Sequence, residues 1–481
     1  MRARLVGALL SASMIVTACG GGGGTPTPTP GPIATPGPAP SPTPSPSACS
    51  LRARQDWVFA QLREWYLFPE TLPASLDPTP FATVQDYIDA LTATARAQRR
   101  DRFFTFITSI AEENAFFNSG SSAGFGIRLS YDTTARRLFV LEAFEGAPAL
   151  AAGIDRGTEI LAIGTSQGNL VNVTDLFSAG GAQAVSNALG PSTAGTSRVL
   201  RIADQSGQNV RTITVTKTDF AITPVSSRYG ARIIDDQGRR VGYVNLRTFI
   251  NTADPALRQA FANFRAQGVT EVIVDFRYNG GGLVSIAELM GDLMGANRST
   301  SEVFSFTTFR AEKASNNEQR NFRPQPQSIA PMKIAFIGTE GTASASELVI
   351  NSLIPYLRAN AALVGTDTFG KPVGQIALDR AVCDDRLRVV AFRTENSQHR
   401  GDYYDGLATE VEASCQAPDD IAAQLGDPAE GSTRQALDFL AGRSCTRIST
   451  GISARTVREA RRELLTPEEP STAQREVPGL F

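Results

Sequence analysis

The stretch Glu271-Val272-Ile273-Val274-Asp275-Phe276-Arg277-Tyr278-Asn279-Gly280-Gly281-Gly282 decides the fold class. Its first six residues have the apolar pattern of a buried strand, and the helical pattern Val284–Met294 follows the three glycines. A second unit of this kind runs from the strand Lys333–Ile337 through Gly341–Glu347 to the helix Leu348–Arg358. In α/β proteins, sites usually lie at such turns, beyond the carboxyl ends of the strands. The sequence therefore predicts an α/β core.

Further elements extend this core over residues 240–410. Strands are predicted at Val241–Leu246, Ala362–Gly365 and Arg386–Phe392. A helix is predicted at Pro255–Ala266, with Asp254 as its N-cap and proline at its first position.

The composition excludes several classes of function. The chain has 481 residues, a length that corresponds to about three domains. It has 46 basic and 48 acidic side chains, and 42% of its residues are hydrophobic. The balanced charge provides no basic surface, so no nucleic-acid partner is expected. The single histidine, His399, excludes HExxH zinc hydrolysis. Because His399 lies in a polar, turn-like run, we predict a surface position for it.

Residues 1–19 resemble a bacterial lipoprotein signal. Two arginines precede the apolar stretch Leu5–Val16, which is too short to span a bilayer of ~30 Å. The stretch leads into Val16-Thr17-Ala18-Cys19, so Cys19 is the predicted lipidation site. The alternative is ordinary secretory cleavage after Ala18.

Residues 20–48 form a Gly/Pro-rich linker. Ten prolines lie between Thr25 and Ser47, a composition typical of a polyproline II spacer. The alternative is a disordered linker of no selected length. Signal and linker together predict an exported protein on the periplasmic side of the bacterial envelope, lipid-anchored to the outer membrane.

The remaining cysteines agree with export. Four cysteines allow two disulfides with three possible pairings, and the absence of a CxxC motif leaves zinc or redox sites unsupported. We predict the pairs Cys383–Cys415 and Cys49–Cys445.

Residues 49–119 are predicted to be a helical N-terminal segment. Apolar residues recur at i, i+3, i+4 spacing around Trp57, Trp65 and Tyr87. We interpret this pattern as an apolar face that docks onto a larger domain.

Residues 120–219 change to the shorter period of strands. The run Ala152-Gly153-Ile154-Asp155-Arg156-Gly157-Thr158-Glu159-Ile160-Leu161-Ala162-Ile163-Gly164 is similar to PDZ domains, although Thr158 stands where that family usually has aspartate. A loop made of Gly124, Phe125, Gly126 and Ile127 precedes a predicted strand. The backbone N–H groups of such a loop can bind a chain-end carboxylate while the peptide adds as a strand. The alternative is a tight glycine turn without a ligand.

Three stretches carry the predicted chemistry: Asp275–Gly282, Thr342-Ala343-Ser344-Ala345-Ser346-Glu347, and Thr368-Phe369-Gly370-Lys371-Pro372-Val373-Gly374-Gln375. In this order after a PDZ-like domain, they resemble the C-terminal processing (tail-specific) peptidases. The resemblance covers roughly residues 50–440. It implies a ClpP/crotonase-like peptidase core over residues 220–445, with the PDZ domain preceding or inserted.

The resemblance assigns roles residue by residue. Ser344 corresponds to the nucleophile, Lys371 to its general base and Gln375 to the group that orients the lysine. The oxyanion hole would fall on backbone N–H groups of Ala345 and of the triglycine, with Gly282 as the expected donor.

The chemistry also follows from the residue types. A serine hydroxyl needs a base, and without a second histidine a lysine amine is the remaining candidate. Lys371 lies in an apolar stretch without a neighbouring carboxylate, and desolvation lowers the pKa of a lysine. Thr342 and Ser346 are rival hydroxyls. Each feature also has a structural interpretation, since Ser344-x-x-Glu347 is a capping box and Asp275 with Arg277 is interpreted as a pair bracing the turn.

The predicted function is a serine endopeptidase that hydrolyses envelope proteins. Its expected partners are protein or peptide substrates whose C-termini are accessible, and no metal or organic cofactor is expected. The alternatives are a non-catalytic PDZ-based peptide-binding lipoprotein that retains the scaffold, and an envelope structural lipoprotein.

The tail, residues 446–481, holds a charged stretch compatible with a helix, Val457–Leu465, and finishes Val477-Pro478-Gly479-Leu480-Phe481. An apolar chain end is the type of ligand that a PDZ loop captures. One hypothesis places this tail in the Gly124–Ile127 loop as a competitor of substrate; the alternative is a tail of no consequence.

Overall fold

The computed structural model describes residues 48–449 and 462–481. The predicted signal with Cys19, the linker up to residue 47 and the first part of the charged tail stretch lie outside the described residues. Within the described ranges, no helix is both long and apolar enough to cross a membrane.

Helices and strands alternate along much of the chain. The helices are α1 Leu51–Trp65, α2 Val84–Leu91, α3 Ala93–Ala97, α4 Ile110–Ser119, α5 Pro148–Ala151, α6 Val173–Leu189, α7 Ala253–Ala266, α8 Val284–Leu293, α9 Ala345–Leu357, α10 Gly431–Leu440 and α11 Thr472–Glu476. The strands are β1 Phe106–Ser109, β2 Ser121–Gly124, β3 Ile127–Asp132, β4 Leu138–Ala143, β5 Glu159–Gly164, β6 Val171–Asn172, β7 Ser197–Ala203, β8 Arg211–Thr216, β9 Thr218–Ala221, β10 Ala231–Asp236, β11 Arg239–Asn245, β12 Glu271–Asp275, β13 Val303–Phe309, β14 Glu318–Asn321, β15 Lys333–Gly338, β16 Ala361–Gly365, β17 Val373–Arg380, β18 Asp385–Glu395, β19 Ala413–Gln416 and β20 Arg462–Leu464.

The core is a six-stranded sheet in the order β10-β11-β12-β15-β16-β19. Strand β10 is antiparallel to β11, and the other neighbours are parallel. Helices α7, α8 and α9 pack on one face and α10 packs on the other, which explains why the central strands are continuous apolar runs. This architecture confirms the predicted α/β core.

Two helix starts differ from the sequence-based prediction. Helix α7 begins at Ala253 with Thr252 as its N-cap, so the prediction of Asp254 as N-cap is wrong. The hydrogen bond from Ala253 N–H to Ile250 O (2.9 Å) starts the helix earlier, and Asp254 pairs with Arg258 within the first turns (2.7 Å). Helix α9 begins directly after Ser344 and not at Leu348.

The N-terminal segment packs against a second sheet. Helices α1 and α2 share an apolar cluster with strands β17 and β18, which confirms the predicted docking face. The segment is not helical throughout, however, because β1 pairs antiparallel with β18. This pairing joins residues far apart in sequence, so helical periodicity alone did not reveal it.

A third sheet forms a separate layer, which we call the β-module (residues 121–221). Strands β3, β4, β5, β7 and β8 are neighbours in that order, β6 pairs with β5, and α5 and α6 pack over the same apolar cluster. Strand β20 of the tail is hydrogen-bonded to the outer edge of β3.

All four cysteines of the described residues form disulfides, but the predicted pairing is wrong. Cys49 is bonded to Cys383 and Cys415 to Cys445, with Cα atoms 5.5 and 5.4 Å apart. Cys49 precedes α1, which packs against the β17–β18 hairpin where Cys383 lies in the turn. Cys415 lies on the outer strand β19, and the chain returns along that strand after α10. The pairing therefore depends on which elements are neighbours in space.

Candidate active site

The triglycine turn lies at the carboxyl end of β12. Asn279 shapes it by accepting a hydrogen bond from Gly281 N–H on Oδ1 (2.9 Å) and donating from Nδ2 to Leu246 O (2.7 Å). Gly281 and Gly282 have φ of 119° and 131°, in the region that favours glycine. A Cβ at Gly281 would lie 2.8 Å from the Cβ of Ser344. Close approach to the serine turn therefore requires glycine at position 281.

The serine turn follows the neighbouring parallel strand β15. Ser344 has φ 56° and ψ −115°, a strained conformation for a residue other than glycine. Such strain persists where the surroundings fix the backbone. Ala343 N–H donates to Asn279 O (3.0 Å), which ties this turn to the triglycine turn.

Three hydroxyls lie on this turn, and two are already engaged. Thr342 donates to Phe276 O (2.7 Å) and Ser346 donates to Asn279 O (3.1 Å), and both side chains are fully buried. Ser344 is half-buried. Of the three, Ser344 is the hydroxyl that can meet a substrate.

Lys371 lies in the loop before β17, beside Gln375. Its Nζ donates to Gln375 Oε1 (3.2 Å), and Gln375 Nε2 in turn donates to Phe104 O (2.8 Å), which fixes the orientation of the amide. Burial lowers the pKa of Lys371, because an apolar setting disfavours the ammonium form. Within the described residues, Lys371 Nζ forms no hydrogen bond with Ser344 Oγ.

Glu347 joins the serine and lysine turns, a role that the sequence analysis missed. Its buried carboxylate accepts hydrogen bonds from the backbone N–H groups of Ser344 (2.9 Å), Gly370 (2.7 Å) and Lys371 (2.8 Å), and from Thr368 Oγ1 (2.6 Å). Burial raises the pKa of Glu347, and these four donors act in the opposite direction. The capping box S-x-x-E indicated only the bond to Ser344, because the lysine loop comes from a distant part of the chain.

The two predicted oxyanion donors lie on different turns. Ala345 N begins α9 and lies 3.2 Å from the ideal Cβ position of Gly281. Gly282 packs against Phe249 O. Neither Ala345 N–H nor Gly282 N–H donates a hydrogen bond in the described part of the chain.

The other lysines and the histidine are engaged elsewhere. Lys217 donates to the carbonyls of Gly190 and Pro191, and burial lowers its pKa to about 8. Lys313 pairs with Glu64, and Lys333 contacts the Phe439 ring. His399 is exposed at the surface, as predicted, where it stacks on Phe306. These contacts do not include the serine turn.

Asp275 and Arg277 brace the triglycine turn, which confirms the structural interpretation. The guanidinium donates to both Asp275 oxygens (3.0 Å each) and to both Glu430 oxygens (2.9 Å each), and it also contacts Asp419 (3.2 Å). Arg277, Asp275 and Glu430 have fully buried side chains.

The Gly124–Ile127 loop lies at the start of β3. The backbone N–H groups of Gly126 (2.9 Å) and Ile127 (3.2 Å) donate to an oxygen of Phe481. This contact confirms that the tail lies in the loop.

The fold and these turns define an α/β architecture that is also known from a solved protease. A crystal structure from Bacteroides fragilis, assigned to the S41 proteases, superposes with a TM-score of 0.62 at 21% identity and covers 80% of this chain and 97% of that one. Residues 240–401 match the model of Peptidase family S41, and residues 53–106 match the Peptidase S41 N-terminal domain.

Curated relatives agree with these matches. The chain is 29% identical over 257 residues to the carboxyl-terminal-processing protease of Picosynechococcus sp. and 28% identical over 277 residues to the chloroplastic C-terminal processing peptidase of Tetradesmus obliquus. These alignments cover 53% and 54% of this chain and 55% and 54% of the relatives, so the chain spans about half the length of either relative. The chain is thus similar to peptidase family S41 over these two segments, and the curated relatives that it matches are named C-terminal processing proteases.

Proposed function

We propose that this chain is a serine endopeptidase in which Ser344 is the nucleophile, Lys371 the general base and Gln375 the residue that orients the lysine. The observation that carries the proposal is the carboxylate of Glu347, which accepts hydrogen bonds from the backbone N–H groups of both Ser344 and Lys371. A nucleophile and a base held in one geometry form the arrangement that acyl transfer needs.

In the proposed reaction, neutral Lys371 Nζ takes the proton of Ser344 Oγ as the oxygen attacks the scissile carbonyl carbon. The C–N bond then breaks, and the lysine ammonium gives its proton to the leaving amine, which leaves an acyl ester on Ser344. Water attacks the ester, Lys371 again accepts a proton, and the carboxylic acid leaves as the serine hydroxyl is restored. The N–H groups of Ala345 and Gly282 would stabilise the developing oxyanion.

A neutral lysine amine can donate one N–H to Gln375 Oε1 while its lone pair accepts the proton of Ser344, once substrate brings the two side chains together. Catalytic hydrogen bonds are often long in a structure without substrate and shorten in the complex. Gln375 is therefore a positioning residue, which holds the amine near the serine turn between turnovers.

We further infer that the β-module is a PDZ domain that presents C-terminal or unfolded segments of envelope proteins to this site. The donor pair Gly126 and Ile127 supports this assignment, since it binds a terminal residue of the kind that PDZ loops capture. Export as a lipoprotein through Cys19 remains part of the proposal, with disulfides that suit an oxidising compartment.

Replacing Ser344 by alanine is expected to reduce hydrolysis at least 1000-fold, because no other hydroxyl on this turn is available to attack. The measurement is cleavage of an unfolded protein by the purified full chain. His399→Ala is the control and should keep full activity, since its contacts lie at the surface. Equal cleavage by Ser344→Ala would contradict the proposal, and an inactive parent chain would favour the non-catalytic peptide-binding alternative.

Replacing Glu347 by glutamine is expected to lower kcat about 10- to 100-fold with little change in KM. The amide nitrogen replaces one of the two carboxylate oxygens, so it faces either the N–H groups of Ser344 and Lys371 or the donors of Thr368 and Gly370, and the two turns shift relative to each other. Steady-state kinetics measure the effect, and Glu410→Gln, a change in a partly exposed ion pair with Arg400, is the matched control. An unchanged kcat would show that the shared carboxylate does not position the site.

A further inference from the structure

The last residues of the chain add a strand to β3. Phe481 N–H donates to Ile127 O (2.9 Å), and Leu129 N–H donates to Gly479 O (2.8 Å). Leu480 pairs antiparallel with Arg128. Both the terminal oxygen and the peptide backbone of the tail are thus held by one strand edge.

The same edge also holds an earlier part of the tail. Strand β20 pairs with the far half of β3, with Leu464 opposite Ser130, and Leu465 N–H donates to Leu129 O (3.0 Å). The pairing then resumes with Leu480 opposite Arg128. Residues 466–478 therefore leave the strand edge and return to it.

This excursion contacts the triglycine turn of the candidate active site. Gly280 N–H donates to Glu476 O (3.2 Å), and a Cβ at Gly280 would lie 2.9 Å from the carbonyl oxygens of Arg475 and Glu476. Arg128, on β3, donates to Pro478 O (2.8 Å) and to Tyr278 O (2.7 Å) of the triglycine turn. The tail thus contacts the turn that carries one of the predicted oxyanion donors, Gly282.

The tail is also well packed. Val477, Leu480 and Phe481 are each 2% exposed or less. Phe481 belongs to the apolar cluster of the β-module, with Phe125 and Ile127. Thr472 N–H, at the start of α11, donates to Glu112 (2.9 Å). A large apolar terminal residue is therefore what this pocket accepts.

We propose that residues 466–481 are an intramolecular ligand, which occupies the strand edge of β3 and covers the triglycine turn until an incoming protein chain end displaces it. The ligand that displaces it is a polypeptide with a free carboxylate on a large apolar residue. The consequence for cleavage rests on the proposed peptidase function, whereas the displacement itself does not.

The tether makes the tail a strong competitor. Because β20 is fixed beside β3, the terminal residues remain close to their site even when released. For a short tether the effective concentration is in the millimolar range. A free chain end therefore binds the full chain more weakly than it binds a chain without the last five residues.

The first test measures binding without hydrolysis, in the full chain carrying Ser344→Ala. A labelled peptide, Val-Pro-Gly-Leu-Phe with a free carboxylate, should bind at least 10-fold more tightly after deletion of Val477–Phe481, as measured by fluorescence anisotropy. The same peptide with a C-terminal amide should bind weakly to both chains. Glu469→Ala, at an exposed tail position, is the control and should bind like the parent. Equal affinity for the full and shortened chains would overturn the proposal, as would equal affinity for acid and amide.

Two further measurements keep the test independent of the deletion. In the full chain, Phe481→Asp places a charge in the apolar pocket and should reproduce the tighter binding. Saturating peptide should also speed amide hydrogen exchange in residues 472–481 of the unshortened chain. Unchanged exchange would show that the peptide does not displace the tail.

The activity arm separates this inference from the proposed function. In the chain with Ser344 intact, deletion of Val477–Phe481 should lower the apparent KM for substrates that end in apolar residues and leave kcat unchanged. Adding the free peptide should restore the higher KM. If the shortened chain binds peptide more tightly but no variant hydrolyses substrate, the peptidase function is refuted and the proposal that chain ends displace the tail still holds. An unchanged KM in an active enzyme would refute the competition.

Discussion

Replacing Lys371 by arginine is expected to reduce hydrolysis of an unfolded protein to the level of the Ser344→Ala variant. Arginine stays protonated in proteins and cannot accept the serine proton. Initial cleavage rates at equal protein concentration measure the effect, which should again be at least 1000-fold.

Activity should also rise with pH in the parent enzyme. Only neutral Lys371 can act as the base, and burial lowers its pKa from the ordinary value. The midpoint of the rising limb should therefore lie below the pKa of a free lysine, ~10.4. The carboxylates of Glu476, Asp101 and Glu347 oppose that shift by favouring the ammonium form, and Arg388 favours the neutral amine. A rate profile with a rising limb centred at or above 10.4 would contradict a desolvated base.

The matched control for Lys371 is Lys333→Arg. Lys333 lies on β15, where its Nζ contacts a carbonyl at the end of α10 (3.4 Å). The substitution should leave cleavage unchanged, since that contact does not involve the serine turn. Full turnover by Lys371→Arg would eliminate the lysine as base and require another proton acceptor.

The parts of this fold that could be predicted are those whose information is local in sequence. The strand, glycine turn and helix of each βα unit are contiguous, so Ser344 and Gly280–Gly282 could be assigned to turns. Parallel pairing of β12 with β15 then brings those turns to one edge of the sheet. The brace between Asp275 and Arg277 was predictable for the same reason, since the two residues are separated by one position.

Contacts between distant segments could not be predicted. Glu430 meets Arg277 across 153 positions, and nothing near Arg277 in sequence indicates this partner. Glu347 resembled a helix cap because its bonds to the Lys371 loop depend on how that loop folds back. The predicted disulfide pairs were wrong for the same reason, because Cys49 and Cys383 are 334 positions apart in sequence. The tail's own end was recognisable as a ligand, but its passage over Gly280 was not.

Replacing Arg277 by methionine is expected to destabilise the fold by about 3–5 kcal/mol, because it leaves buried carboxylates without their partner. Arg277 and its partners Asp275 and Glu430 have no exposed side-chain surface. Burial tends to raise the pKa of Glu430, but Arg277, together with the Thr433 N–H and Arg156, outweighs this effect, and the pKa lies below its ordinary value. The change in the free energy of unfolding can be measured by urea denaturation followed by circular dichroism.

The pH dependence identifies the cause of this loss. Without Arg277, the folded-state pKa of Glu430 rises above its unfolded value, and that of Asp275, which burial already raises, rises further, so the folded variant binds protons that the unfolded chain releases. Stability of the variant should therefore fall as pH rises through the acidic range, and its deficit relative to the parent should shrink between pH 7 and pH 5. Adding Glu430→Gln should recover part of the loss by removing one of the unpaired charges. Arg443→Met breaks a half-exposed pair with Asp438 and should cost less than about 1 kcal/mol. A deficit for Arg277→Met that is equally small, or that does not change with pH, would mean that the charges of this cluster do not hold the triglycine turn in place.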